Sequence, residues 1–141
     1  MPPAIWSETY RVGHTDMDHH HRQLVDDFAA IQQAVAALEP RTAILSRLDD
    51  WLNLFARHAQ MEERLMERLT LPLSMEHREA HMAEHVSFLH QAMDIRNALA
   101  QGEDAAHSLD RLGAQMIAFD MIRRDFELIG LLLHESVSLE S

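Results

Sequence analysis

From Leu24 to Leu133 apolar side chains return at intervals of three and four residues, and only 4 Gly and 4 Pro interrupt the 141-residue chain. That spacing puts one apolar stripe on each of a few long helices. Alternation of the strand type appears nowhere, so the chain reads as all-α. The first helix spans about 18–39, capped by Asp16 or Asp18, and carries Leu24, Phe28, Ile31, Val35 and Leu38 until Pro40. The second covers about 41–70 with Ile44, Leu48, Leu52, Phe55, Leu65 and Leu69 on one face and a stop at Pro72. Ser74 caps a third, about 74–101, whose stripe is Phe88, Ala92, Ile95 and Leu99. The fourth, about 104–134, carries Leu109, Leu112, Met116, Phe119, Ile122, Phe126, Ile129 and Leu133. Connections of a few residues make these helices neighbours in an up-down-up-down antiparallel four-helix bundle. Residues 1–15 are expected to form an extended leader, with Trp6, Tyr10 and Val12 laid across an edge of the core. The length suits a single domain, 1–141, and no repeat or low-complexity segment divides it.

Composition removes whole classes of chemistry. All 12 basic residues are arginine and they face 23 carboxylates, a net charge of -11, which disfavours nucleic acid and anionic membrane as partners. Without lysine there is no Schiff base and no P-loop. Without cysteine there is no thiol nucleophile, iron-sulfur cluster or Cys-type zinc site. No stretch is apolar for long enough to cross a bilayer, and Met1-Pro2-Pro3-Ala4-Ile5-Trp6-Ser7-Glu8 lacks the basic and apolar regions of an export signal. The expectation is a soluble cytoplasmic protein relying on oxygen and nitrogen chemistry, and its 11 histidines are the lead.

The histidines that matter occupy positions the helical period assigns to the core. On the second helix the stripe runs from Phe55 through His58 and Glu62 to Leu65, so an imidazole and a carboxylate lie one turn apart and point inward. His21 enters the first stripe three residues before Leu24. His77, His81 and His85 form a ladder at four-residue spacing leading into Phe88, and Asp120 and Asp125 adjoin Phe119 and Phe126. A single imidazole on such a face is ordinarily a hydrogen-bonded core residue. Here all four helices contribute, no arginine matches their depth, and buried carboxylates such as Glu62 and Asp125 need a strong positive partner. One or two metal ions supply that charge. Mixed imidazole and carboxylate donors suit iron, manganese or zinc, and bridging carboxylates favour a dinuclear centre. His19, His20, His90 and His107 read as surface residues.

These residues together resemble the hemerythrins, in particular the short single-domain bacterial members, over most of the chain. Trp6, Tyr10 and Val12-Gly13, followed by Asp18 and His21-Arg22-Gln23-Leu24, are similar to the family's start. His58-Ala59-Gln60-Met61-Glu62-Glu63-Arg64-Leu65-Met66 resembles its His-Phe-x-x-Glu-Glu-x-x-Met. Pro72 with His77 and His81 resembles Pro-x4-His-x3-His, and Asp120 to Asp125 falls where the family has His-Ile-x-x-x-Asp. The resemblance implies two non-haem iron ions bridged by carboxylates and an oxo or hydroxo group. Terminal ligands would be His21, His58, His77 and His81, and the bridges Glu62 and Asp125. It departs at Asp120, where the family has histidine, and at Ala59, where it has phenylalanine. His107 and His134 lie about 20 Å along the same helix and cannot substitute. Asp120 itself is one replacement ligand and His85 the other. A register one turn on, pairing His81 with His85, also keeps Phe88 at the family's spacing, whereas the Pro72 spacing favours His77 with His81.

For function the resemblance implies reversible binding of O2, for storage, delivery or sensing, at the iron that His21 and His58 would hold. Asp120 adds a negative charge, which favours the ferric state. The alternatives are therefore a di-iron oxidase or peroxidase acting on a small reductant or peroxide, and an interaction module whose metal fixes the bundle. The ligand would be O2, another diatomic or a peroxide, and no oligomeric state follows from the sequence.

Overall fold

Leucine- and alanine-rich stripes, interrupted by glycine only in the fourth run, produce the helices. The computed structural model describes residues 4–138, so Met1-Pro2-Pro3 of the expected leader lie outside the described residues. All regular structure among the described residues is helical: a short 3-10 turn Glu8–Tyr10 within the leader expected to be extended, α1 (Thr15–Ala36), α2 (Arg41–Met66), α3 (Pro72–Ala100), α4 (Ala106–Gln115), a π-helical segment Met116–Asp125, and α5 (Phe126–His134). The last three form one continuous helical run, 106–134. α1 and α3 each pack on both α2 and α4, and α5 packs on α2, which closes a four-helix bundle. None of these helices is long and apolar enough to cross a membrane.

The helix ends differ from expectation in instructive ways. His14, rather than an aspartate, caps α1, its Nδ1 accepting the Met17 N–H at 3.1 Å. Buried Asp18 instead accepts the N–H groups of Val12 (2.6 Å) and Gly13 (3.2 Å) and so ties the leader to the first turn of α1. Gly13 has φ +91°, a left-handed conformation that a side chain would strain. Pro72 does not simply stop α2; it opens α3, where its missing N–H costs nothing. Glu135 takes the place of a side-chain cap there, accepting from Thr70 N (2.8 Å), Leu71 N (3.4 Å) and the Ser74 hydroxyl.

The core has two apolar clusters. One gathers Leu24, Phe28, Leu48, Trp51, Phe55, Phe88, Leu109, Leu112, Met116 and Met121, with half-buried Trp6 and Tyr10 of the leader against it. Trp51 Nε1 donates to the Leu24 carbonyl at 3.0 Å, and the Trp51, Phe55 and Phe88 rings lie in sequence with centroids 5.5 and 4.8 Å apart. The other cluster holds Val12, Met17, Met61, Leu65, Met66, Leu69, Leu128, Ile129 and Leu132. Gly113 of α4 faces the first of these, where an added Cβ would stand 2.6 Å from Cε1 of the fully buried Phe28 ring. Gly113→Ala should therefore lose about 1–3 kcal/mol through overpacking, instead of gaining the roughly 1 kcal/mol of helix propensity. Urea unfolding of the variant checks the sign.

The π-helical segment is where the α-helical period misleads. Read at 3.6 residues per turn, Phe119, Ile122 and Phe126 belong to the core stripe. In the structure all three are exposed, as is Leu133, and Asp120, Met121, Asp125 and Leu128 are buried in their place. A π turn closes hydrogen bonds five residues apart and takes up an extra residue, so it rotates the following side chains about the axis. In an α-helix, residues five apart point about 140° away from each other. The π segment brings Asp120 and Asp125 to the same side.

Candidate metal centre

Between the two apolar clusters lies a layer of buried polar side chains to which every helical run contributes. α1 supplies His21; α2 supplies His58 and Glu62, one turn apart; α3 supplies His81 and His85, also one turn apart; the π segment supplies Asp120 and Asp125. Their neighbours along each helix are core residues, among them Leu24, Phe55, Phe88 and Leu128. The sequence thus fixes the depth of each group by burying what precedes and follows it.

The donor atoms converge. His21 Nε2 lies 2.6 Å and His58 Nε2 3.6 Å from Asp125 Oδ2, and His58 Nε2 is in close contact with Glu62 Oε1. His81 Nε2 stands 3.1 Å from both Glu62 Oε2 and Asp125 Oδ1, and 3.7 Å from Asp120 Oδ1. His85 Nε2 is 3.5 Å from Asp120 Oδ1 and 3.9 Å from Glu62 Oε1. Despite these distances, Nε2 of His21, His58, His81 and His85, both oxygens of Glu62 and of Asp125, and Asp120 Oδ2 are buried without a properly directed hydrogen bond. Orphaned buried polar atoms are rare and costly, so this many together call for a common partner. Four imidazole nitrogens and three carboxylates are the donor set of iron, manganese or zinc.

Three overlapping groups can each hold an ion: His21, His58, Glu62 and Asp125; Glu62, His81 and His85; and His81, Asp120 and Asp125. Glu62 and Asp125 each belong to two of them. Compared with family models, curated proteins and solved structures, the chain matches none.

Six of the seven residues singled out in the sequence, His21, His58, Glu62, His81, Asp120 and Asp125, come together in this layer. His77 stands apart from it: its Nε2 is 3.0 Å from His81 Nδ1 and its Nδ1 is 3.7 Å from Glu127 Oε2. His85 takes part instead, which the four-residue ladder had left open. His20, read as a surface residue, is half-buried with its ring edge-on to His58 at 5.8 Å and its Nδ1 buried. It lines an open groove of about 670 Å³ between α1 and α2, with His58 at the floor and Arg57 and Arg64 beside it. Three adjacent histidines at the start of α1 were a signal, but only the rotation of the helix told which faced His58. Ala59 is itself buried, and Phe55 supplies an apolar wall, 5.9 Å from the His85 ring and 6.4 Å from that of His58.

Arginine does not neutralise the layer. Arg124, the nearest on the fourth run, is held by both oxygens of Glu84 at 2.8 to 3.0 Å. In the metal-free protein the balance falls to protons. Burial depresses His58, but Glu62 and Asp125 outweigh it and hold the imidazole well above its usual range. Burial likewise lowers His81, yet the carboxylates of Asp120, Asp125 and Glu62 beside its Nε2 push it up to about 12. His85 is raised over its burial by Asp120 and Glu62. Burial lifts Asp125, and contacts with Glu62, His21 and His58 bring it well below the ordinary value; Asp120 is lowered against burial and Asp125 by His81 and His85.

Imidazoles raised on folding stabilise fully below their unfolded value of 6.5, and that contribution fades as pH rises through the folded values, for His81 about 12. The depressed aspartates stabilise above 3.8, and their contribution is lost as pH falls. Metal-free protein should therefore be most stable between about pH 4 and 6.5, with a Tm that falls from pH 6 to pH 9. Metal needs the three imidazoles deprotonated, so loading near pH 7 should release about three protons and abolish that alkaline fall. Calorimetry in buffers of different ionisation enthalpy counts the protons; release of none would rule out these ligands.

Proposed function

We propose that this chain is a hemerythrin-like protein that holds two non-haem iron ions and binds O2 reversibly, within an up-down-up-down antiparallel four-helix bundle. The observation that carries the reading is the sharing of Glu62 and Asp125 between ligand groups that differ in their histidines. On one side stand His21 and His58. On the other stand His81, His85 and Asp120. Two carboxylates common to both sides are what a bridged dinuclear centre requires. The side with fewer ligands is the one whose His58 floors the groove between α1 and α2.

The alternating directions are supported by the order of the two apolar clusters along the chain. α1 runs from Met17 of one cluster through His21 to Leu24 of the other, and α2 runs back from Phe55 through His58 and Glu62 to Leu65. α3 goes from Met75 to Phe88, and the fourth run returns from Met116 to Leu128.

When bound, ferrous iron supplies the electrons and open coordination position that O2 needs. The protein contributes the rest. Glu62 and Asp125, each shared between two ligand groups, would hold the two cations. Phe55, Phe88 and Trp51 pack above them and keep water out, which strengthens every electrostatic contact inside.

A second reading, an oxidase or peroxidase with a carboxylate-enriched centre, is favoured by one observation: Asp120 lies 3.5 Å from His85 Nε2, inside the layer. Anaerobic loading with ferrous iron followed by O2 separates the two. A stable oxygenated spectrum that reverses under vacuum, with two iron ions per chain, is expected. Rapid irreversible oxidation would favour the second reading, and failure to take up iron would end both.

A further inference from the structure

We propose that His77 is a positioning residue, the outer member of an imidazole pair that holds His81 with its Nε2 toward the cluster, and that it supplies no ligand atom itself. The consequence for metal affinity rests on the function proposed above; the hydrogen bond between the two rings does not.

The four-residue spacing of α3 stacks His77, His81 and His85 on one face, a turn apart. Their nitrogens nevertheless point to different partners. His81 sends Nε2 into the cluster, 3.1 Å from both Glu62 Oε2 and Asp125 Oδ1. Its Nδ1 faces the other way, 3.0 Å from His77 Nε2, and the two rings stand nearly perpendicular at 87° with centroids 5.0 Å apart. A neutral imidazole has one N–H and one lone pair. An ion at the cluster requires the lone pair at His81 Nε2, so the His81 proton resides on Nδ1 and His77 Nε2 accepts it. The same rule then puts the His77 proton on Nδ1. That atom is buried, and its nearest anion is Glu127 Oε2 at 3.7 Å.

The result is an ordered series of carboxylate, imidazole, imidazole and cluster. It starts at the surface, because Glu127 is 45% exposed and shares an open groove of about 570 Å³ with Glu76, Arg123 and Arg124, and it ends at the fully buried His81. For His77 to ligate, its Nε2 would have to leave His81, stripping the inner ring's Nδ1 of its hydrogen-bond partner among the described residues. Partners of this kind orient a ligating imidazole and raise its basicity, and losing one typically costs about 10- to 100-fold in metal affinity.

Two variants test this. His77→Leu removes the acceptor; His77→Gln keeps a carbonyl oxygen able to take the His81 proton. In metal-free wild-type protein, nitrogen-edited NMR should show a slowly exchanging N–H at His81 Nδ1 coupled across the hydrogen bond to His77, and the signal should vanish in His77→Leu. Titrated with cobalt(II), His77→Leu should bind as many ions as wild type, with the same number of coordinated imidazoles by X-ray absorption, but about 10- to 100-fold more weakly. His77→Gln should recover most of that loss. One ion or one coordinated imidazole fewer in either variant would make His77 a ligand and overturn the proposal, as would unchanged affinity in both. Should His77→Leu fail to fold, the coordination number and His81 signal of His77→Gln decide alone. Wild-type protein that takes up no cobalt would overturn the proposed function, and the NMR signal would still establish or refute the hold of His77 on His81.

Discussion

A Glu62→Gln protein should carry no more than one metal ion per chain where the parent carries two. Glu62 is completely buried on α2 and faces both halves of the layer: Oε1 meets His58 and, at 3.9 Å, His85, while Oε2 stands 3.1 Å from His81. The amide has the same volume, so no cavity opens. It has no charge, and its NH2 turns a donor toward a position that must hold a cation. Removing one member of a buried ion pair typically costs about 3–5 kcal/mol because the other is left uncompensated. His58 and His81 both lose an anion that raises them, so the alkaline fall in stability of the metal-free variant should still begin near pH 6.5 but be smaller and end at lower pH than in the parent. Elemental analysis and a pH series of melting curves read the two effects separately. A variant that still loads two ions would show that Asp125 alone can bridge, and the sharing of Glu62 between two sites would then be wrong.

The polar layer sets local requirements against each other in a way that explains which parts of the fold were readable from sequence. α1, α2 and α3 each keep the α-helical period, so their stripes and the depths of His21, His58 and Glu62 could be read directly; the exception is Leu38, which lies past the end of α1 with φ +55° and is exposed rather than on the stripe. Their ends were less legible, because the capping groups come from elsewhere in the chain: Asp18 is occupied by the leader, and the first turn of α3 is capped by Glu135 from beyond the last helix. The fourth run keeps the period at Leu109, Leu112, Met116 and Ile129, which are buried, and loses it across the π segment. Its 3.6-residue pattern is satisfied by Phe119, Ile122 and Phe126, all of which are exposed. What the period could not weigh is that Asp120 and Asp125, five residues apart, share one face only in a π turn.

The histidine ladder of α3 shows a different limit. His77, His81 and His85 are equivalent on a helical wheel, so sequence can say that they share a face but not which of them meets Glu62. That choice depends on how far α3 slides along α2, a tertiary quantity fixed by where Phe88 stacks on Phe55 at 4.8 Å and by where Pro72 starts the helix. In the structure this depth sets His81 and His85 beside Glu62 and leaves His77 one turn beyond, against Glu127.

Replacing Asp120 by His should slow the oxidation of the iron-loaded, reduced protein by air at least tenfold, if Asp120 contributes a ligand as its position suggests. Its Oδ1 is 3.5 Å from His85 Nε2 and 3.7 Å from His81 Nε2, and its Oδ2 is buried with no partner. Exchanging a carboxylate for a neutral imidazole removes one negative charge from beside the metal, which disfavours the oxidised state. A unit charge at about 5 Å in an effective dielectric of about 20 amounts to roughly 3 kcal/mol. Since about 1.4 kcal/mol is a factor of ten, a tenfold slowing requires less than half of that to reach the oxidation step. A second effect needs no iron. Asp120 is the first of the partners that raise His85 over its burial, so in the metal-free variant the His85 imidazole should lose its proton at lower pH, which proton NMR can follow. An unchanged oxidation rate with a lowered His85 would place Asp120 beside the ligands but not among them. If neither quantity moves, the carboxylate does not face the layer at all, and the π-helical turn that carries it inward must be wrong.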